Sequence, residues 1–208
     1  VPVDEWQLDI VASGSQKGYM IPPGLSFIAM SQKAWEATEK SNLPKFYLNL
    51  KSYRKSLLSN SNPYTPAVNL VFALDEALKM MRDEGLDNIF LRHNKHKLAM
   101  SNAVKALNLK LFADEKYLSP SITAIKTEGI DAEEFRKTIK NNFDILLAGG
   151  QDHLKGKIFR VGHLGYVNDR DIISVVSAIS NTLLSLGKIS AQQAGEALVV
   201  ASRYLEGN

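Results

Sequence analysis

Two short apolar runs, Leu8-Asp9-Ile10-Val11-Ala12 and Leu25-Ser26-Phe27-Ile28-Ala29-Met30, flank Ser13-Gly14-Ser15-Gln16-Lys17-Gly18-Tyr19-Met20-Ile21-Pro22-Pro23-Gly24. Their length and β-branched content predict two strands, and the Pro-Pro-Gly closes the loop between them. One lysine, Lys17, therefore sits in a loop of small residues between strands. Two readings follow. An ordinary hairpin lysine points into water. A partly desolvated lysine favours its charged form less and can act as a nucleophile. Gly14 and Gly18 leave room for a planar ligand to approach the backbone, and Ser13, Ser15 and Gln16 can hydrogen-bond an anionic group.

Downstream, strand and helix signals alternate, which predicts an α/β layer. Ser31 caps a helix to Lys40, with Trp35 on its inner face, and Leu43–Leu58 reads as a packed helix with a basic outer face. Ser59-Asn60-Ser61-Asn62-Pro63-Tyr64-Thr65-Pro66 is a turn, after which a helix carries Leu70, Leu74, Leu78 and Met81. Tyr64-Thr65 reads as that helix's cap, and a helix start can also bind an anion. Gly85 marks a hinge before a long helix over Leu86–Leu107. His93 and His96 share a face of it; no third metal ligand stands out, and the surrounding lysines make it a solvated polar face.

Strands are expected at Ser121–Ile125, Phe143–Leu147 and Ile158–Gly162. Helices should be capped by Asp131 (with Glu134 completing a capping box), Asp169 and Ser190. Arg160 lies in Gly156-Lys157-Ile158-Phe159-Arg160-Val161-Gly162-His163-Leu164-Gly165 and alternates away from Phe159 and Val161. By itself it reads as a strand-edge arginine in a surface ion pair. His163 reads as packed.

Composition narrows the function. The chain has 208 residues, 45% hydrophobic and 23% charged, enough for one or two globular domains. A net charge of +3 gives no case for nucleic acid, and no run is long and apolar enough for a membrane span. Cysteine is absent, so disulfides are impossible and a cytoplasmic home is the default expectation. These residues therefore offer no thiolate for an iron–sulfur cluster and no cysteine nucleophile for desulfurase chemistry.

Ser-Gly-Ser-Gln-Lys followed by Pro-Pro-Gly, the threonine before Pro66 and the Arg160 segment together resemble the class V aminotransferases, pyridoxal-phosphate enzymes of the alanine–glyoxylate and serine–glyoxylate type. The resemblance runs over essentially the whole chain. It extends to cyanobacterial proteins called the small subunit of a soluble hydrogenase. It implies the C-terminal part of a fold-type I pyridoxal-phosphate-dependent transferase: residues 1–84 as the end of the large cofactor-binding domain and 85–208 as a small α/β domain. The family's glycine-rich phosphate loop, ring-stacking aromatic and pyridine-pairing aspartate would lie upstream of Val1. Asp4 and Asp9 do not match that aspartate, so a preceding N-terminal half is expected.

The resemblance also assigns roles. Lys17 holds pyridoxal 5'-phosphate covalently and moves the substrate proton. Gln16 binds the cofactor phosphate, and Thr65 does so from the partner subunit across a homodimer, with Tyr64 beside it at a position that matches less cleanly. Arg160 grips the substrate carboxylate. The implied reaction moves an amino group from a small amino acid to glyoxylate or a similar 2-oxo acid. The rival expectation is a non-catalytic portion or accessory subunit.

Overall fold

The computed structural model describes residues 1–206. The chain divides into two compact units, Val1–Met80 and Met81 onward. The division falls inside a helix rather than at Gly85.

In the first unit, β1 (Ile10–Gly14) and β2 (Ser26–Met30) pair antiparallel, with Gly14 opposite Ser26. Helix α1 (Gln32–Lys40) follows at once, because the Ser31 side chain accepts from the Ala34 N–H. Ser31 in turn donates to Asp9 at 2.7 Å, and Lys33 reaches the same carboxylate at 2.8 Å. Trp35 is half-buried, with the Arg54 guanidinium 4.7 Å from its ring centroid.

The expected helix over Leu43–Leu58 is realised only as α2 (Leu50–Leu58), capped by Asn49. Pro44 disfavours helical backbone before it, and Leu43, Phe46 and Leu48 are left exposed. Helix α3 (Val68–Glu84) starts soon after Pro66, as the turn predicts. Buried side chains are few here: Ser15, Ile21, Ala34 and Ala77.

The second unit holds a four-stranded antiparallel sheet in the order β3 (Lys110–Leu111), β4 (Ile122–Lys126), β6 (Ile158–Gly162), β5 (Ala148–Gly149). Around it lie α4 (Leu86–Ala106), α5 (Ala132–Phe143), α6 (Asp169–Ser185) and α7 (Ala191–Glu206). Ile172, Val176, Ile179 and Leu183 form the buried stripe of α6 at helical spacing. Helix α4 packs on α7, and both contribute fully buried alanines, Ala99 and Ala103 with Ala197 and Ala201, whose small side chains let helices approach closely. Phe135 and Phe159 meet at the centre, ring centroids 5.2 Å apart.

Three local expectations are corrected. Phe143–Leu147 is not a strand. Helix α5 continues through Phe143 and ends on Asp144 in a left-handed C-cap at φ 54°; pairing begins only at Ala148. The cap of α6 is Asn168 rather than Asp169, because Asp171 stands three residues after Asn168 and completes the reciprocal capping box. His93 and His96 are buried, not solvated.

Candidate active site

The hairpin loop is held from inside by Ser15. This residue is fully buried; its hydroxyl donates to Pro22 O at 2.8 Å and accepts from the Leu25 N–H at 3.1 Å. Its hydrogen-bonding capacity is thus spent on the loop, which corrects the expectation that it serves an anionic ligand. Around Lys17 the backbone is also fixed. The Lys17 N–H donates to Gly14 O at 3.4 Å, and Lys17 O accepts from the Met20 N–H at 3.0 Å.

The Lys17 side chain is exposed, not sunk between strands. A two-stranded sheet has no second layer at this point to bury a loop residue. Among the described residues, the amine makes no hydrogen bond or ion pair. Gln16 is also exposed, its amide oxygen turned back toward Gly14, where an added Cβ would lie 2.9 Å from it. At Gly18 an added Cβ would meet nothing within 4 Å, so that side of the loop is open. A free amine on a fixed backbone beside an open approach fits a carbonyl cofactor held covalently at Lys17.

Thr65 is exposed, its side chain outside any hydrogen bond among the described residues. Tyr64 is engaged within its own unit: its hydroxyl donates to Phe46 O at 3.1 Å, and its ring lies 4.7 Å from that of Tyr47 and 6.1 Å from that of Tyr53. Asp9 serves the α1 cap. The Lys33 ammonium hydrogen-bonded to it, with help from Ser31, holds its carboxyl below the ordinary value.

Arg160, in the second unit, is half-buried in β6 between Ala124 of β4 and Ala148 of β5. Its Nε donates to Gly149 O at 2.9 Å. Among the described residues no carboxylate pairs with it, which overturns the surface-ion-pair reading. With Nε held by a carbonyl, the two terminal nitrogens remain for a planar anion. The supporting turn is tight: a Cβ on Gly150 would fall 2.1 Å from Leu154 O, so only glycine fits there.

The segment after β6 carries polar contacts that sequence spacing concealed. His163 is fully buried, as expected for a packed residue. One ring nitrogen lies 2.9 Å from Thr123 Oγ1 and the other 3.0 Å from Pro120 O. Burial pushes its pKa down to about 4. His96 Nε2 lies 2.9 Å from Asp169 Oδ1, and burial lowers its pKa as well. Arg92 pairs with Glu84 at 2.6 Å and holds the Glu84 carboxyl below its ordinary value. Among the described residues no cluster of histidine and carboxylate groups could hold a metal ion.

Comparison with known proteins decides the family. The family described as aminotransferase class-V matches residues 1–167. The chain belongs to the class V aminotransferases.

A protein from Synechococcus sp. (strain PCC 6716), named "Soluble hydrogenase, small subunit", is 55% identical over 205 residues, covering 99% of this chain and 53% of that protein. The L-aspartate–glyoxylate aminotransferase of Paracoccus denitrificans is 36% identical, covering 89% of this chain and 47% of its own. Among solved structures, the ureidoglycine–glyoxylate aminotransferase of Bacillus subtilis superposes with a TM-score of 0.88 at 28% identity, covering 97% of this chain and 54% of that one. The chain thus spans about half the length of the relatives it matches. Its α/β fold is that of the C-terminal part of a fold-type I pyridoxal-phosphate-dependent transferase. Among the described residues no helix is long and apolar enough to cross a membrane.

Proposed function

We propose that this class V chain serves a transaminase that moves an amino group from a small amino acid to glyoxylate or a similar 2-oxo acid. The observation that carries the reading is the Arg160 guanidinium. It is half-buried, oriented by Gly149 O and free of any carboxylate among the described residues. Such a cation suits the carboxylate shared by every amino-acid and 2-oxo-acid substrate. Glyoxylate recurs in the names of the Paracoccus and Bacillus relatives, whereas the amino donor differs between them.

Pyridoxal phosphate, when bound, supplies the electron sink for charge developing at the substrate Cα. Lys17 would hold the cofactor covalently, and its Nζ would accept the proton released from the substrate Cα. Gln16 binds the cofactor phosphate, and Thr65 binds it from the partner subunit of a homodimer. Tyr64 has the weaker claim, since its hydroxyl already serves Phe46 O. Residues 1–84 act as the end of the cofactor-binding domain and 85–208 as the small domain. The exposed apolar side chains Phe46, Leu57, Leu58 and Phe72 support burial of the first unit against a partner subunit and an N-terminal half.

The test is a coupled assay on the complete protein with L-alanine or L-serine and glyoxylate. Arg160→Ala should raise the KM for the amino donor by about a hundredfold, because a charge-assisted, two-point contact is lost. An unchanged KM contradicts the assignment.

A second reading, a non-catalytic or accessory subunit, draws on one observation: the Lys17 amine is exposed. Amino transfer by the complete protein would exclude it.

A further inference from the structure

A histidine of α4 reaches across the second unit to the segment that leaves β6. His93 is buried. Its Nδ1 lies 2.7 Å from Ile89 O, and its Nε2 accepts the Gly165 N–H at 3.1 Å. Because Gly165 N is the donor, Nε2 must carry no proton. The ring proton then sits on Nδ1 and is donated to Ile89 O. The two contacts fix the tautomer and the ring orientation together.

Gly165 has φ 82°, a conformation that costs glycine little and other residues more. It lies in a bend three residues beyond the end of β6. Arg92, one residue before His93, donates through Nη1 to Gly165 O and to Val167 O, both at 2.9 Å. Helix α4 therefore grips both the donor and the acceptor of one backbone unit. Upstream, the His163 N–H donates to Ser121 O at 3.0 Å, and Arg160 is held to Gly149 O at 2.9 Å. The stretch from Arg160 to Gly165 is thus fastened at both ends and in the middle.

We infer that His93 is a positioning residue for Arg160, acting through the Gly165 amide to hold the end of β6 where the guanidinium meets a substrate carboxylate. This rests on the reading of Arg160 given above. Small displacements of a carboxylate-holding group are costly to binding geometry. The Gly165 N–H also has no other acceptor among the described residues, so losing His93 Nε2 strands a buried donor.

Two variants separate the ring's two contacts. Asn at this position can place a donor near the Nδ1 site but nothing at the Nε2 site; Gln can place an acceptor near Nε2. In the chain described here, amide exchange at Gly165 should be slow in the native protein and in His93→Gln. In His93→Asn it should speed up by about tenfold or more, as expected when one hydrogen bond is lost. In the complete protein, His93→Asn should raise the KM for L-serine or L-alanine by about tenfold with kcat little changed, and His93→Gln should recover it. Nitrogen NMR of the native chain should show the His93 proton on Nδ1. This measurement needs no variant, so misfolding of His93→Asn leaves the inference decidable.

A proton found on Nε2, or Gly165 exchange unchanged in His93→Asn, overturns the inference. So does a KM that stays at the native value in His93→Asn while Arg160→Ala raises it; that result leaves the functional reading standing. If Arg160→Ala itself leaves the KM unchanged, the functional reading fails and the positioning role fails with it.

Discussion

The two units bury their side chains very differently. From Met81 onward, three polar rings, a central Phe135–Phe159 pair and the stripes of α4, α6 and α7 are enclosed. Before it, the hairpin and three helices enclose little beyond Ser15, Ile21, Ala34 and Ala77, while Leu57, Leu58 and Phe72 stay exposed. The Arg160 side is thus built on an enclosed core, with its candidate group oriented by the Gly149 carbonyl. The Lys17 side fixes only its backbone and leaves the candidate amine open. Burial, where it occurs, is what orients a functional group; a cofactor-holding amine without burial needs its surroundings supplied from elsewhere.

The contrast can be sharpened by equal insults to each unit. Phe159 is fully buried against Phe135, so Phe159→Ala should lower the unfolding free energy by about 3–5 kcal/mol in urea denaturation. A loss under about 1 kcal/mol would mean that the core of the second unit is not packed as described.

The next effect is a pH dependence. With the pKa of His163 lowered from 6.5 to about 4, the unfolded chain binds the extra proton between those values. Stability from the neutral ring is fully present above pH 6.5 and is lost as pH falls toward 4. The loss amounts to roughly 3 kcal/mol at most. His96, also lowered by burial, pulls in the same direction. Unfolding followed from pH 7 to pH 4 should show the slope, and His163→Gln should flatten it. A slope unaltered by that substitution would place the effect elsewhere.

The smallest effect is expected in the first unit. Leu57→Ala removes an exposed side chain and should change the stability of this chain by no more than about 0.5 kcal/mol. A cost near that of Phe159→Ala would erase the distinction between the units.

Local chemistry made much of this fold legible. The Ser31 and Asp131 caps, the strand at Ile158–Gly162 and the helices after Pro66 and Gly85 all follow from signals confined to a few residues. What escaped depended on distant partners. His93 and His96 sit among basic residues and so read as surface, yet their partners Gly165 and Asp169 lie more than seventy residues away. A signal was present: counting back from Leu107, Ala103 and Met100 at helical spacing reaches His96 and His93 on the same buried face. Ser15 escaped for a similar reason, since only the closed loop shows its hydroxyl meeting Pro22 and Leu25. The family motif singled out Lys17 and Arg160, but no sequence pattern showed that one is open and the other half-buried.

The central claim is that the Lys17 amine carries the cofactor. Borohydride reduction of the complete protein with pyridoxal phosphate, followed by peptide mapping, tests it most directly. The account predicts a cofactor-derived mass fixed on the peptide containing Lys17, lost in Lys17→Ala. Reduction that labels another lysine, or none, would contradict it.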